Sequence, residues 1–432
     1  MRAKYLSIRF LAALSVLAGS APATAAAAEL TLEQALGLAA QNSPALAQSR
    51  ARLEEAQADA IGARSALLPK LSASASYSWL DPNRLSPLGA PSGGAVPTLY
   101  SAEGFAGLKA RQVLFDGLRS WSSLSAAQRG IDAERSAVQA SALDSTLVVT
   151  QAFVRLLESQ QLVQVAAQAL ERQRAFESLI EGQLELGKGA RLDLLKAQAQ
   201  RLEAERARVA SEETRKAAAA ALRRWIGLES LEDVIAAGEL SAPAGELAPT
   251  NLREAARASN PDLRRLAAQE RQAEAQADLA RGGYLPEVSL QGTYGYRFRD
   301  VGGSADEWTA GFGFEWVLFD GLASHAQVAK AKARVAQLRE AHRALELQIE
   351  SDLQDALAAA TTAAAAAVST AKGVEVSQEA AQAALELYSL GRATSLDVLT
   401  SQADLVRAQA SQVVALGDEV IARARLARLT GR

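Results

Sequence analysis

Cysteine is absent from all 432 residues, which excludes disulfides, thiolate metal sites and the lipidated cysteine of a lipoprotein. Methionine occurs only at position 1 and histidine only at His325 and His342. Neither histidine has a second ligand at metal-binding spacing, so the expectation is no metal, no cofactor and no enzyme. A Gly-rich phosphate loop is also missing, so the chain is not expected to bind a nucleotide. No stretch beyond the N-terminal region reaches the roughly 18 uncharged apolar residues of a membrane-spanning helix. Contact with a membrane interior would then have to be made by a β-barrel. Aromatic residues are only 5% of the chain, too few to fill a thick core between Ala-rich helices, so thin, long packing is expected. Basic residues are not in excess, which gives no support to a nucleic-acid partner.

The N-terminal region has the layout of a cleaved secretory signal over residues 1–28. Arg2, Lys4 and Arg9 precede an apolar run from Phe10 to Leu17, and a small-residue tract follows at Ala23-Thr24-Ala25 and Ala26-Ala27-Ala28. Its removal leaves 43 Lys and Arg against 49 Asp and Glu.

The rest of the chain is an internal repeat. Val113-Leu114-Phe115-Asp116-Gly117-Leu118 recurs as Val317-Leu318-Phe319-Asp320-Gly321-Leu322, an offset of 204. Leu186-Gly187 and Leu192-Asp193 recur at that offset as Leu390-Gly391 and Leu396-Asp397. Upstream, Pro44, Ala63, Arg64, Leu68 and Pro69 match Pro261, Ala280, Arg281, Leu285 and Pro286 at an offset of 217. The difference places an insertion in the first copy, at the Pro-, Gly- and Ser-rich stretch from Asp81 to Gly104. The repeats are assigned to residues 29–228 and 251–432, joined by a linker or equatorial segment at 229–250.

Proline is missing from Thr98 to Ala242 and from Glu287 to Arg432, and an interior proline is what would break a helix. Within those windows Trp121 to Leu186 and Leu322 to Leu390 carry helical periodicity, predicting rods of roughly 100 Å at 1.5 Å per residue. Each rod ends at a Gly-containing turn. A returning helix about half as long follows, Arg191 to Ile226 and Ser395 to Thr430. Helices at Thr31–Leu67 and Asn251–Gly283 are of similar length, so one from each pair is expected to stack end to end beside a rod.

Between each early helix and its rod the period changes to two. Leu71, Ala73, Ala75, Tyr77 and Trp79 share one face, with Ser72, Ser74, Ser76 and Ser78 on the other. Tyr294, Tyr296 and Phe298 likewise oppose Gly295, Arg297 and Arg299, and Phe312, Phe314 and Trp316 oppose Gly313 and Glu315. Strands are predicted at about 70–82, 104–117, 286–300 and 307–319. Of the 19 aromatics after residue 28, 15 fall in residues 70–121 or 284–319, a concentration that singles out these windows. Alternation of this kind fits a barrel strand between lipid and water; an antiparallel sheet with one solvated face fits it too. Four strands cannot close a membrane barrel, since the smallest have about eight, so the barrel reading requires several copies. A dimer gives an interior filled by side chains, a trimer one wide enough for an open lumen.

The doubled Leu-Pro (Leu68-Pro69, Leu285-Pro286), Leu-Phe-Asp-Gly and Gly-x4-Leu-Asp-x-Leu (Gly187 to Leu195, Gly391 to Leu399) motifs, in order and twice, resemble the TolC-like outer-membrane efflux proteins. The resemblance implies a mainly α protein with a transmembrane β-barrel portion. In it, three protomers build a barrel of about 12 strands in the outer membrane above a periplasmic tunnel of long coiled helices. It implies a passive duct of a tripartite export system, with outer-membrane lipid, a periplasmic membrane-fusion adaptor and an inner-membrane pump, proton-driven or ABC, as partners. Small-molecule or drug efflux is the expected role; a type I protein secretion duct is the alternative, and a periplasmic structural coiled-coil protein a further one.

For the site, the resemblance puts a gate at the second hairpin tip, where Tyr388 and Asp397 match the family's Tyr and first Asp. Thr400 stands at the second Asp position, and Arg392 lies beside Ala393, which occupies the Arg position. Adaptor docking is expected at Gly187, Lys188, Arg191, Asp193, Gly391 and Arg392. A ring of Asp397 carboxylates would raise their pKa values by mutual repulsion; Asp397 equally fits a first-turn residue favoured by the helix dipole. Asp116, Gly117, Asp320 and Gly321 are read as strand-to-helix joints, with the aspartates capping the rods and the glycines supplying backbone freedom. Trp225 is expected in the core at the tunnel's middle.

Overall fold

The structure is a computed structural model and describes residues 28–80, 101–187, 189–228, 234–241, 249–300 and 303–431. The expected signal therefore lies outside the described residues except for Ala28, which opens a short strand β1 (Ala28–Leu30). The elements that follow are α1 (Leu32–Asn42), α2 (Pro44–Ser65), β2 (Lys70–Trp79), β3 (Ala102–Phe115), α3 (Arg119–Glu185), α4 (Arg191–Ile226) and β4 (Val234–Ala236). The second copy comprises α5 (Pro249–Ser259), α6 (Pro261–Arg281), β5 (Glu287–Arg299), β6 (Ser304–Glu315), α7 (Ala323–Ser389) and α8 (Ser395–Leu429).

The two rods are α3 and α7, each 67 residues long, hence about 100 Å. The early helices differ from expectation, since each is two helices rather than one. Ser43 (φ −61°, ψ 119°) and Asn260 (φ −63°, ψ 119°) break them, because the ring of the following proline pushes its predecessor out of the α region. Pro44 and Pro261 then start new helices at the position where a missing N–H is harmless.

End-to-end stacking is present in both copies. The Asn260 side chain accepts from the N–H groups of Asp262 (2.9 Å) and Leu263 (3.4 Å) and donates to the Leu429 carbonyl (3.2 Å). One buried amide thereby satisfies orphan groups of two helices, the start of α6 and the end of α8. Gly431 and Gly227 sit at the two joints with φ of 73° and 69°. A Cβ on either would stand 2.6 Å from a carbonyl oxygen, that of Ser259 or Asn42 respectively.

The largest core lies where α4 ends. Ala35 and Ala39 of α1, Phe153 and Leu156 of α3, Leu222 and Ile226 of α4, and Val234 and Ala236 of β4 pack together. There β1 pairs in parallel with β4, a two-stranded sheet that the sequence pattern does not predict and that ties the expected linker, through β4, to the start of the first copy. Trp225 is not part of this core. It is 38% exposed beneath the Arg224 guanidinium, 4.8 Å from the ring centroid, because Leu222 and Ile226 take the inward face of the helix.

The four long strands form one antiparallel sheet in the order β2-β3-β5-β6, leaving β2 and β6 as its edges. Pairing of Leu108 with Tyr294 and of Tyr294 with Trp308 fixes a common apolar face. Trp79, Trp308, Phe312 and Phe314 on it are 67–80% exposed. The opposite face carries Arg297, which pairs with Glu103 (2.6 Å) and Glu307 and lies over the Phe105 ring. At the rod end of that face Glu287 binds Arg111 (2.7 Å) and Arg119 (2.8 Å).

Candidate functional site: the hairpin tips and the strand-to-helix joints

Each rod is stopped by a glycine in the left-handed region, Gly187 (φ 72°) and Gly391 (φ 71°). The turns are closed by backbone bonds, Gly187 N–H to Leu184 O (2.9 Å) and Gly189 N–H to Gln183 O (3.1 Å) in the first. In the second, Gly391 N–H reaches Tyr388 O (3.0 Å) and Arg392 N–H reaches Leu387 O (2.8 Å). The two tips are held together by a small apolar cluster of Phe176, Ile180, Ala197, Val398 and Leu399, with Tyr388 packed against it. The Tyr388 ring meets Phe176 edge-on, centroids 5.3 Å apart. Burial, and then the nearby Asp193 carboxylate, push the Tyr388 hydroxyl pKa up.

Asp397 is engaged locally. Its carboxylate accepts from the backbone N–H (2.8 Å) and hydroxyl (2.7 Å) of Thr394, whose hydroxyl in turn accepts from Asp397 N–H (3.3 Å). This is a capping box at the start of α8. Within the protomer its pKa is lowered, first by the Thr394 hydroxyl and then by the Thr394 N–H. The capping bonds stabilise the charged form.

Asp193 occupies the equivalent place in the first copy and does something else. Its carboxylate accepts from the Ser395 hydroxyl at 2.6 Å, joining the starts of α4 and α8. Ser395 and Phe176 were not among the expected site residues. A signal for the difference exists in the sequence: the first tip has Ala190 where the second has Thr394, so no side chain caps α4 and Asp193 is left to reach across. The site thus brings Tyr388, Asp193 and Ser395 together and turns Asp397 away to Thr394. Arg191, Arg392 and Thr400 are exposed, and Lys188 lies outside the described residues.

At the joints, Gly117 and Gly321 have φ of 69° and 68°, and the leucines after them also enter the left-handed region, Leu118 at 65° and Leu322 at 71°. Two such residues in succession swing the aspartate back over the helix start. Asp116 accepts from Ser120 N–H (2.8 Å) and Asp320 from Ser324 N–H (2.7 Å), so the aspartates cap the rods from two residues ahead of the N-cap, which is Leu118 or Leu322. The leucine conformation costs about 1–2 kcal/mol, and no composition signal announces it.

A buried carboxylate lies farther up, facing α8. Glu158 has its Oε2 2.7 Å from Arg155 and its Oε1 without a partner, against the backbone of Gly417. Burial raises its pKa, and Arg155 works against the rise. Among the described residues no group of His, Asp and Glu is arranged to hold a metal ion.

A ribbon of antiparallel strands with one exposed aromatic face, set on paired helical hairpins of two tandem copies, is the architecture of an outer-membrane channel protomer. The Outer membrane efflux protein family profile matches residues 35–228 and 252–432, and the chain belongs to that family. It is an outer-membrane transport protein and not an enzyme. It is 26% identical over 428 residues, 98% of this chain and 90% of the relative, to outer membrane efflux protein BepC of Brucella suis biovar 1 (strain 1330). The fold is that of outer membrane protein VceC of Vibrio cholerae, with a TM-score of 0.78 and 20% identity over 93% of this chain and 96% of that one. It is also that of the Campylobacter jejuni CmeC outer membrane channel, with a TM-score of 0.79 and 18% identity over 93% and 85% of the two chains.

Proposed function

We propose that three copies of this chain close a barrel of about 12 strands over a helical tunnel, forming the passive exit duct of a tripartite pump that expels small molecules. The observation that carries this reading is the sheet: four strands with a lipid-suited face, a charged opposite face and two free edges. Such a sheet is stable in a membrane only when further copies pair its edges. A periplasmic adaptor docks at the tips, on Gly187, Lys188, Arg191, Asp193, Gly391 and Arg392, and an inner-membrane pump supplies the energy. Tyr388, Asp397, Arg392 and Thr400 border the closed end, with the Asp193–Ser395 bond and the Phe176 cluster holding it.

A strain lacking the gene tests the role. Greater accumulation of dyes and antibiotics inside the cell, reversed by the restored gene, is the expected result. Loss of a secreted protein instead, with accumulation unchanged, would show a type I secretion duct. Recovery of the chain in the soluble periplasmic fraction would overturn the channel reading.

A further inference from the structure

The two offsets that relate the copies also relate two strand pairings, only one of which lies within the chain. The 204 offset runs ungapped from Glu103 and Glu307 to Gly117 and Gly321, so it carries β3 onto β6. The 217 offset runs from Leu68 and Leu285 to Tyr77 and Tyr294, so it carries β2 onto β5. The β3–β5 seam inside the protomer is therefore a template for a seam between the β6 edge and the β2 edge of another copy. We infer that β6 pairs antiparallel with β2 of the partner subunit in the register that sets Gly311 opposite the partner subunit's Ser78, sealed by an ion pair between Glu315 and the partner subunit's Lys70. The inference rests on the trimeric reading and specifies its interface.

Three observations carry it. The register follows from the internal pairs Ala106–Tyr296, Gly107–Gly295, Leu108–Tyr294 and Lys109–Thr293. Shifted by the offsets, these become Ala310–Trp79, Gly311–Ser78, Phe312–Tyr77 and Gly313–Ser76 between copies. Parity is preserved, although nothing in the shift requires it. Phe312 and Tyr77 both lie on the aromatic face, and Gly311 and Ser78 both lie on the charged face, as the internal register shows. A one-residue slip would instead put aromatics on the charged face.

Charge is the second observation. Inside the protomer Arg111 and Glu287 form a 2.7 Å ion pair across the seam. Their counterparts are Glu315 and Lys70, the same pair with its signs exchanged. Both are exposed at the free edges. Within the protomer Glu315 lies opposite Glu287 and Lys70 opposite Arg111, so each edge charge has a like charge beside it on its own sheet and meets its opposite only across the seam between copies. The third observation is the joint beside the seam. A Cβ on Gly117 would meet the carbonyl oxygen of Gly282 at 2.5 Å and Leu285 at 2.7 Å, whereas Gly321 has nothing within 4 Å among the described residues. Phe319 is correspondingly 81% exposed where Phe115 is 39%. By the same offset the surface that would cover Gly321 is Ser65 and Leu68 of the partner subunit.

The chain has no cysteine, so introduced pairs report without background. The double variant Gly311→Cys with Ser78→Cys is extracted in detergent, its mass is measured by light scattering, and it is oxidised with copper phenanthroline. Opposed strand residues lie within disulfide reach, whereas a four-residue shift moves them about 13 Å apart. The expected result is a trimeric mass, a covalent ladder from this variant, and none from Gly311→Cys with Ser74→Cys. In parallel, Lys70→Glu should lower the temperature at which the trimer dissociates on a gel by several degrees, and adding Glu315→Lys should restore it. A trimer that cross-links only in the shifted pair, or that is indifferent to Lys70→Glu, overturns the register or the ion pair and leaves the trimer standing. A monomeric mass overturns the trimer itself.

Discussion

The two hairpin tips share a plan and differ in what their aspartates hold. Asp193 and Asp397 stand at the same position in their copies, three residues into a returning helix. Asp397 is occupied by Thr394 in its own turn, and Asp193, behind Ala190, binds Ser395 in the other hairpin. One residue three places upstream thus decides whether a carboxylate finishes a helix or joins two. Such a carboxylate is favoured near a helix N-terminus in either role, so the dipole alone does not distinguish them.

The comparison breaks most severely at Phe176, whose ring is shared by both tips. Phe176→Ala should cost about 3–5 kcal/mol as a buried aromatic is lost, seen as a lower melting temperature of the extracted protein and as tips cleaved faster by protease. Next in size is the joining bond. Asp193→Ala and Ser395→Ala, alone and together, should give a coupling of about 1.5 kcal/mol in a double-mutant cycle; additivity would show that the bond joins nothing. Thr394→Ala should cost about 1 kcal/mol as a lost cap and let the Asp397 pKa relax upward. Because that pKa is depressed in the folded chain, its contribution is present above the ordinary carboxylate range and disappears as pH falls through the folded value. The variant should therefore melt with a weaker acid dependence.

The smallest and sharpest test converts one tip into the other. Ala190→Thr offers Asp193 a cap of its own, and the effect of Ser395→Ala should then shrink toward zero. Tyr388 supplies the accompanying pH readout. Its raised pKa means that its contribution to stability is intact below the ordinary tyrosine range and is lost as pH rises through the folded value. Asp193→Asn should bring the phenolate absorbance midpoint down without returning it to that of free tyrosine, since burial is the larger cause.

The rods and the two-faced strands were legible because each is written many times over, in the missing prolines and in the alternation from Leu71 to Trp79. Joints and ends were less so. Pro44 and Pro261 stand out as matching residues, but their effect falls on the residue before them, so the pattern reads as one helix where the chain forms two. β1 and β4 are three residues each, too short for any period, and exist through their partner and the Phe153 core. The left-handed Leu118 and Leu322 contradict leucine's own preference and are imposed by the aspartate bond two residues on. At the tips, the repeat marks Asp193 and Asp397 as equivalent positions, but the asymmetry of their partners depends on Ser395, which lies 202 residues from Asp193 in the chain.

Mechanically, the wall of this molecule is laid like staggered timber. Each continuous rod runs past the level at which its neighbouring column is butted together from two lengths, α6 on α8 through Asn260 and the early helices on α4 through Gly227. A butt joint resists compression along the column but transmits little bending moment, since a full ladder of backbone bonds is interrupted there, at the α6–α8 splice by a single side-chain amide. Flexure of the wall is therefore concentrated at the two splices, with the rods acting as leaf springs across them. A small tilt there, carried down roughly 50 Å of α4 or α8, becomes a displacement of several ångströms at the tips.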